Sequence, residues 1–296
     1  MVLAAWLFFV LPIWRAGMLK SLLPWFSVSM LAGSRPLWLV GLGLMGLHLA
    51  LIAAVTGNLD QGVLSLLFWA AIATQVRQQG GYHLGRSPSV QRLGVVAIGL
   101  IGLAAWPLLS SDPAIARAVV RLLPLGAWAG WCLLGRRWRG QGPIWALVVA
   151  MSVPPRALPL LLETVLGGQI CTTTAAIAAF GLHYLGFEVV QTGSLIQLPT
   201  GTVNVEFACT GAALLGLLLQ VSILLAALTH WYLLPALGWW SAAIAALLSV
   251  VRVAIMAAVV GDETAFQFWH GPSGGQIFTL VALAVLSYRG LGRSGR

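Results

Sequence analysis

Residues 237–260 read LGWWSAAIAALLSVVRVAIMAAVV, a run whose single charge is Arg252. As a helix it is long enough to cross a bilayer, which takes about 20 predominantly apolar residues. Similar runs recur on both sides of it. Bounded by turn or charge signals, they predict further spans at 37–55, 62–76, 93–109, 114–134, 143–162, 209–229 and 276–288. The fold class is therefore all-α: a polytopic helical membrane protein with about eight core transmembrane helices, an N-terminal apolar segment and an outer-face interfacial helix.

Composition agrees. The 296-residue chain is 59% hydrophobic and 8% charged, against roughly 45–50% and 25% for soluble domains. A water-soluble globule is excluded. The formal net charge of +9 is spread over short loops rather than gathered into a solvated stripe, so the expected partner is anionic membrane lipid and not nucleic acid. Three cysteines, Cys132, Cys171 and Cys209, make no disulfide framework, and no Cys/His spacing suits a metal. No cofactor is expected.

The loop 77–92 carries Arg77, Arg86 and Arg92, the loop 135–142 carries Arg136, Arg137 and Arg139, and the tail carries Arg289, Arg293 and Arg296. The positive-inside rule makes all three cytoplasmic in a multi-pass protein of the plasma membrane. Asp60, Asp112, Glu163, Glu188, Glu206, Asp262 and Glu263, all the acidic residues of the chain, then fall on the outer side. Residues 170–187 are apolar enough to span, but a crossing there reverses everything after it. They are read as an outer-face interfacial or re-entrant helix; the competing reading is that 143–162, broken by Pro154, Pro155 and Pro159, fails to span. Asp112-Pro113 is a helix start signal. Residues 1–36 form an N-terminal extension without the basic region or cleavage site of a secretory signal, and 37–296 form a single membrane domain.

Four arginines break the apolar pattern: Arg117 and Arg121, one helical turn apart, Arg156 and Arg252. A charge within a span costs roughly 2.5–3.5 kcal/mol on insertion scales, so such residues face a cavity or a partner unless they snorkel to headgroups. Cys209 lies where a polar, extended-looking stretch with Pro199, Gly201 and Asn204 turns into a long apolar helix. A helix N-terminus there is expected to favour thiolate. His270 lies in GDETAFQFWHGPSGGQIF, residues 261–278, an outer loop in which imidazole suits a proton shuttle. Cys132 and Cys171 are read as apolar packers, and His48, His83, His183 and His230 as structural. Cys209, Arg252 and His270 all fall on the outer side, and together supply nucleophile, oxyanion donor and base. Glu206, Asp262 and Glu263 are candidate orienters of His270.

The stretches LHYLGFEVVQTGSLIQLPTGTVNVEFACTGAALL, SVVRVAIMA and FWHGPSGGQIF resemble the cysteine, arginine and His-x-x-x-Gly motifs of the exosortase and archaeosortase family, membrane-embedded cysteine transpeptidases. The similarity is to the cyanobacterial branch, the cyanoexosortases, and extends back to about residue 37. It implies Cys209 as nucleophile, His270 as general base and acid, and Arg252 as oxyanion or substrate-orienting residue, with Glu206, Gly211 and Gly274 in the substrate-binding surroundings. The implied substrates are exported proteins whose tail has a motif such as Pro-Glu-Pro, a membrane helix and a basic cluster, cut and passed to a surface acceptor. Thr210 stands where the family most often has serine, and Ser249 where asparagine is common. Arg117, Arg121 and Arg156 suggest a cationic patch for a client carboxylate or lipid phosphate. A membrane transporter and a lipid-modifying acyltransferase are the alternatives; a transporter is disfavoured because no repeat is found and the acidic residues sit in loops or at span ends.

Overall fold

The structure, a computed structural model, describes residues 35–56, 59–78, 96, 99–100, 102–106, 112–134 and 142–292. The extension 1–36 up to residue 34, most of the span expected at 93–109, His83, the loop arginines of 79–92 and 136–139, and Arg293 and Arg296 lie outside the described residues. Helices are α1 (Arg35–Thr56), α2 (Leu59–Gln78), α3 (Pro113–Leu134), α4 (Gly142–Ser152), α5 (Ala157–Tyr184), α6 (Ala212–Leu228), α7 (Leu234–Ala258), α8 (Glu263–His270) and α9 (Pro272–Gly292). Between α5 and α6 run β1 (Val190–Thr192), β2 (Leu195–Leu198) and β3 (Gly201–Asn204), then a 3-10 turn, Phe207–Cys209. The chain is an all-α membrane protein with one small sheet.

The described chain divides into two compact units, the first ending at Pro154 and the second beginning at Pro155. In the first, α1 and α3 meet through Leu51, Ile52, Val120 and Leu123. The predicted start of α3 is borne out: Asp112 accepts a hydrogen bond from Ala114 N at 2.7 Å, with Pro113 as the first helical residue. His48 is structural as expected, accepting at Nδ1 from Trp69 Nε1 at 3.1 Å.

One boundary needs correction. The span expected at 143–162 is split at Val153–Arg156, and 170–187 is no separate interfacial helix: up to Tyr184 it is the continuation of α5. Pro154 and Pro155 lack the N–H groups that would carry α4 onward, whereas Pro159 sits in the first turn of α5, where that N–H has no intrahelical role. No breaker follows. The resulting 28-residue helix is roughly 42 Å long, more than the ~30 Å of bilayer hydrocarbon. Among the described residues, helix α5 and the segment Trp231–Ala258 are the two long enough and apolar enough to cross by themselves. Leu160, Leu161, Val165 and Phe180 of α5 are exposed, as befits a helix facing lipid rather than water.

In the second unit α6, α7 and α9 pack through Leu218, Leu225, Ile244, Ala282 and Leu286, and a buried bond between the Ser222 and Ser241 hydroxyls, 2.8 Å, ties α6 to α7. The C-terminal end of α7 is covered by the sheet, whose order is β1-β2-β3, all antiparallel. Thr202 and Asn204 are exposed while Val203 and Val205 are buried, the period-two alternation of a one-sided strand. The two valines enter a core with Ile196, Val253, Met256 and Ala257.

Candidate active site

The chain leaves β3, passes Val205 and Glu206, and tightens into the 3-10 turn that carries Cys209. Cys209 N donates to Glu206 O at 2.9 Å and Thr210 N to Phe207 O at 3.1 Å. The Thr210 hydroxyl also donates to Phe207 O, at 2.7 Å, so the threonine side chain closes the cysteine turn. Gly211 follows with φ of +73°, a conformation that disfavours any side chain. A Cβ there would lie 2.7 Å from Ala245 O and 2.9 Å from Ser249 Cβ. This bare backbone lets the turn press directly on α7. Ser249 itself donates to Ala246 O in its own helix, at 2.8 Å, while its side chain lies against Gly211.

Arg252 is half-buried on α7, and its guanidinium reaches across to the end of α8. Nε donates to Trp269 O at 3.2 Å and Nη2 to His270 O at 2.8 Å. Carbonyls at a helix C-terminus have no intrahelical donors, so the cation satisfies them and meets the favourable end of the dipole. The other side of the guanidinium lies near Gly275, where a Cβ would stand 3.8 Å from Nη1 and Nη2. Gly274 is needed for a different reason. Any Cβ at that position would come within 2.7 Å of both Trp269 Cα and Trp269 O, so α8 folds back on α9 only over a glycine.

His270 is exposed, its ring stacked on Phe266 one turn earlier at 5.6 Å and 6°. The imidazole makes no hydrogen bond among the described residues. The expectation that Asp262 or Glu263 orients it is corrected: Asp262 caps α8 by accepting from Thr264 N and Ala265 N at 3.0 and 3.1 Å, and Glu263 accepts from Gln267 Nε2 at 2.7 Å. Glu206 is exposed beside the cysteine turn.

The Cys209 thiol is buried, and burial pushes its pKa above the ordinary cysteine range; the Arg252 guanidinium pulls it down and the Glu206 carboxylate pushes it up. The sequence had suggested a lowered pKa from a helix N-terminus. Desolvation outweighs that here, because Cys209 faces the apolar core ahead of α6 and does not sit open at its first turn. Arg252 is the residue that connects the other two, its charge acting on the thiol and its hydrogen bond holding the His270 backbone.

The remaining candidates are dispersed. Arg117, exposed, and Arg121, half-buried, lie one turn apart on α3 in the first unit, while Arg156 is exposed in the break before α5 in the second. Cys171 is buried on α5 as expected of a packing residue. His183 and His230 make ring contacts with Tyr184 and Tyr232. Sequence reasoning missed Trp269, whose carbonyl receives Arg252, and Phe266, whose ring backs His270. The four-residue spacing from Phe266 to His270 was the available signal for the second.

A family model described as Transmembrane exosortase matches residues 55–287, a range that contains Cys209, Arg252 and His270. No curated protein and no solved structure matches the chain.

Proposed function

Since the chain belongs to the transmembrane exosortase family, whose members are membrane proteases or transpeptidases of protein sorting, we propose that it cleaves C-terminal sorting signals of exported proteins with Cys209 as nucleophile. The observation that carries this reading is Arg252, whose guanidinium donates to the backbone of the exposed His270 and whose charge acts on the buried Cys209 thiol. His270 takes the thiol proton as the sulfur attacks the scissile carbonyl; the C–N bond breaks, and the same proton goes to the departing amine. The acyl group remains on sulfur as a thioester until an acceptor nucleophile or water attacks it. Two of the five guanidinium N–H groups of Arg252 are committed to carbonyls, and the others are available to the developing oxyanion.

The substrate in this reading is a client with a Pro-Glu-Pro-like motif, a membrane helix and a basic cluster, met at the outer face of the plasma membrane. Arg156 and the Arg117–Arg121 pair offer cations to a client carboxylate or a lipid phosphate. Co-expression with such a client tests the nucleophile: Cys209→Ala and Cys209→Ser abolish processing, whereas Cys171→Ala leaves it within about twofold of wild type. Processing that survives Cys209→Ala overturns the thiol mechanism.

A further inference from the structure

The sheet ends on an open edge that leads into the cysteine turn. β3 pairs with β2 on one side, Val203 opposite Ile196 and Gly201 opposite Leu198, and Val205 N continues the ladder to Ser194 O at 2.9 Å. In an antiparallel ladder alternate residues turn both N–H and C=O toward the partner. Gly201, Val203 and Val205 therefore face β2, and Thr202 and Asn204 direct their backbone groups to the opposite edge. Both residues are exposed. Val203 and Val205 are anchored in the core on α7, which fixes the direction of that edge.

Proteins usually blunt an open edge with charge, proline, a bulge or a covering element. β3, Gly-Thr-Val-Asn, has neither charge nor proline, and its chain enters the Phe207–Cys209 turn after two intervening residues. β1 is the other outer strand but leads back to α5, away from the nucleophile. α8, which ends in His270, packs on the same helix α7 as β3 does.

We propose that the extended segment of the client just ahead of its membrane helix adds to β3 as a fourth strand, pairing with the backbone groups of Thr202 and Asn204 and bringing its scissile carbonyl to Cys209. This rests on the peptidase reading above. β3 runs toward the start of α6 as the client segment runs toward its own membrane helix, so the added strand is parallel. Main-chain pairing is indifferent to most side chains. It holds many different clients in one register and leaves selection to a short motif at the cut.

The test uses the full-length protein in detergent with a reporter client and with synthetic peptides copying the segment ahead of the client helix, N-methylated one residue at a time. Methylation at alternate residues removes the N–H facing β3 and weakens competition about fivefold per lost bond; at the intervening residues it is tolerated. On the enzyme, Thr202→Pro removes an edge-facing donor and raises KM several-fold with kcat held. A methylation series without period two overturns the proposal, as does a Thr202→Pro protein that cuts with unchanged KM. Crosslinking of Thr202→Cys to a second copy in place of the client overturns it too. Failure of the wild type to cut any reporter overturns the peptidase reading itself and is a separate result.

Discussion

Arg252 Nη2 and the carbonyl oxygen of His270 are 2.8 Å apart, a charge-assisted bond between residues on different helices. The arginine thus aims the histidine through its backbone. Arg252→Lys keeps the cation but loses the planar fork that reaches two carbonyls. Turnover is expected to fall about 10²–10³-fold, with client co-purification retained. Loss of client binding at unchanged turnover would make Arg252 a substrate clamp.

The burial of the thiol gives a pH signature. With no client bound, alkylation of Cys209 by iodoacetamide rises with pH and reaches its plateau only above the ordinary cysteine range, since the folded thiol is held protonated by burial. Arg252→Gln removes the charge that favours thiolate and moves the rise to higher pH. Glu206→Gln removes an opposing charge and moves it lower. A wild-type rise below the ordinary range shows that burial does not govern the thiol.

Gly211 and Gly274 are the backbone contacts of the site. Gly211→Ala imposes a side chain on a φ of +73° and drives it into Ala245 O; Gly274→Ala drives one into Trp269. Each is expected to lower processing more than tenfold and to cost about 1–3 kcal/mol of stability, read as client cleavage and as thermal unfolding in detergent. Gly168→Ala is the control, since its Cβ meets nothing within 4 Å.

The peripheral arginines are separable from the chemistry by the charge of the client. Arg156→Gln and Arg121→Gln are each assayed against a client and its motif Glu→Gln variant. Direct pairing predicts a loss of about three- to tenfold that disappears when the client glutamate is already neutral. Equal losses on both clients eliminate the carboxylate role.

The helices were legible because membrane spans are written in composition. The expected 37–55 and 114–134 correspond to Arg35–Thr56 and Pro113–Leu134, and Asp112 announced its cap. The continuity of α5 was not legible: three prolines within six residues look alike in sequence, and only geometry shows that Pro159 falls in a first turn and Pro154 does not. Residues 202–205 alternate Thr-Val-Asn-Val and read as extended, yet the pairing of 201–204 with 195–198 is invisible to local pattern. The same holds at the site. Residue types marked Cys209, Arg252 and His270 as candidates, but nothing local to Arg252 says that its partners are carbonyls 17 and 18 residues onward, or that the thiol is buried.

The parts of this site leave the ribosome in a fixed order: the sheet and Cys209 first, Arg252 on the next long helix, and His270 last. About 60 residues separate the thiol from the imidazole, some 3–12 s of synthesis at typical rates of roughly 5–20 residues per second. Throughout that interval the nascent chain holds a cysteine without the imidazole, and until α7 is made it also lacks the guanidinium and the helix its turn presses against. A chain stalled or clipped before His270 lacks the base of the proposed reaction and is expected to be inert toward clients.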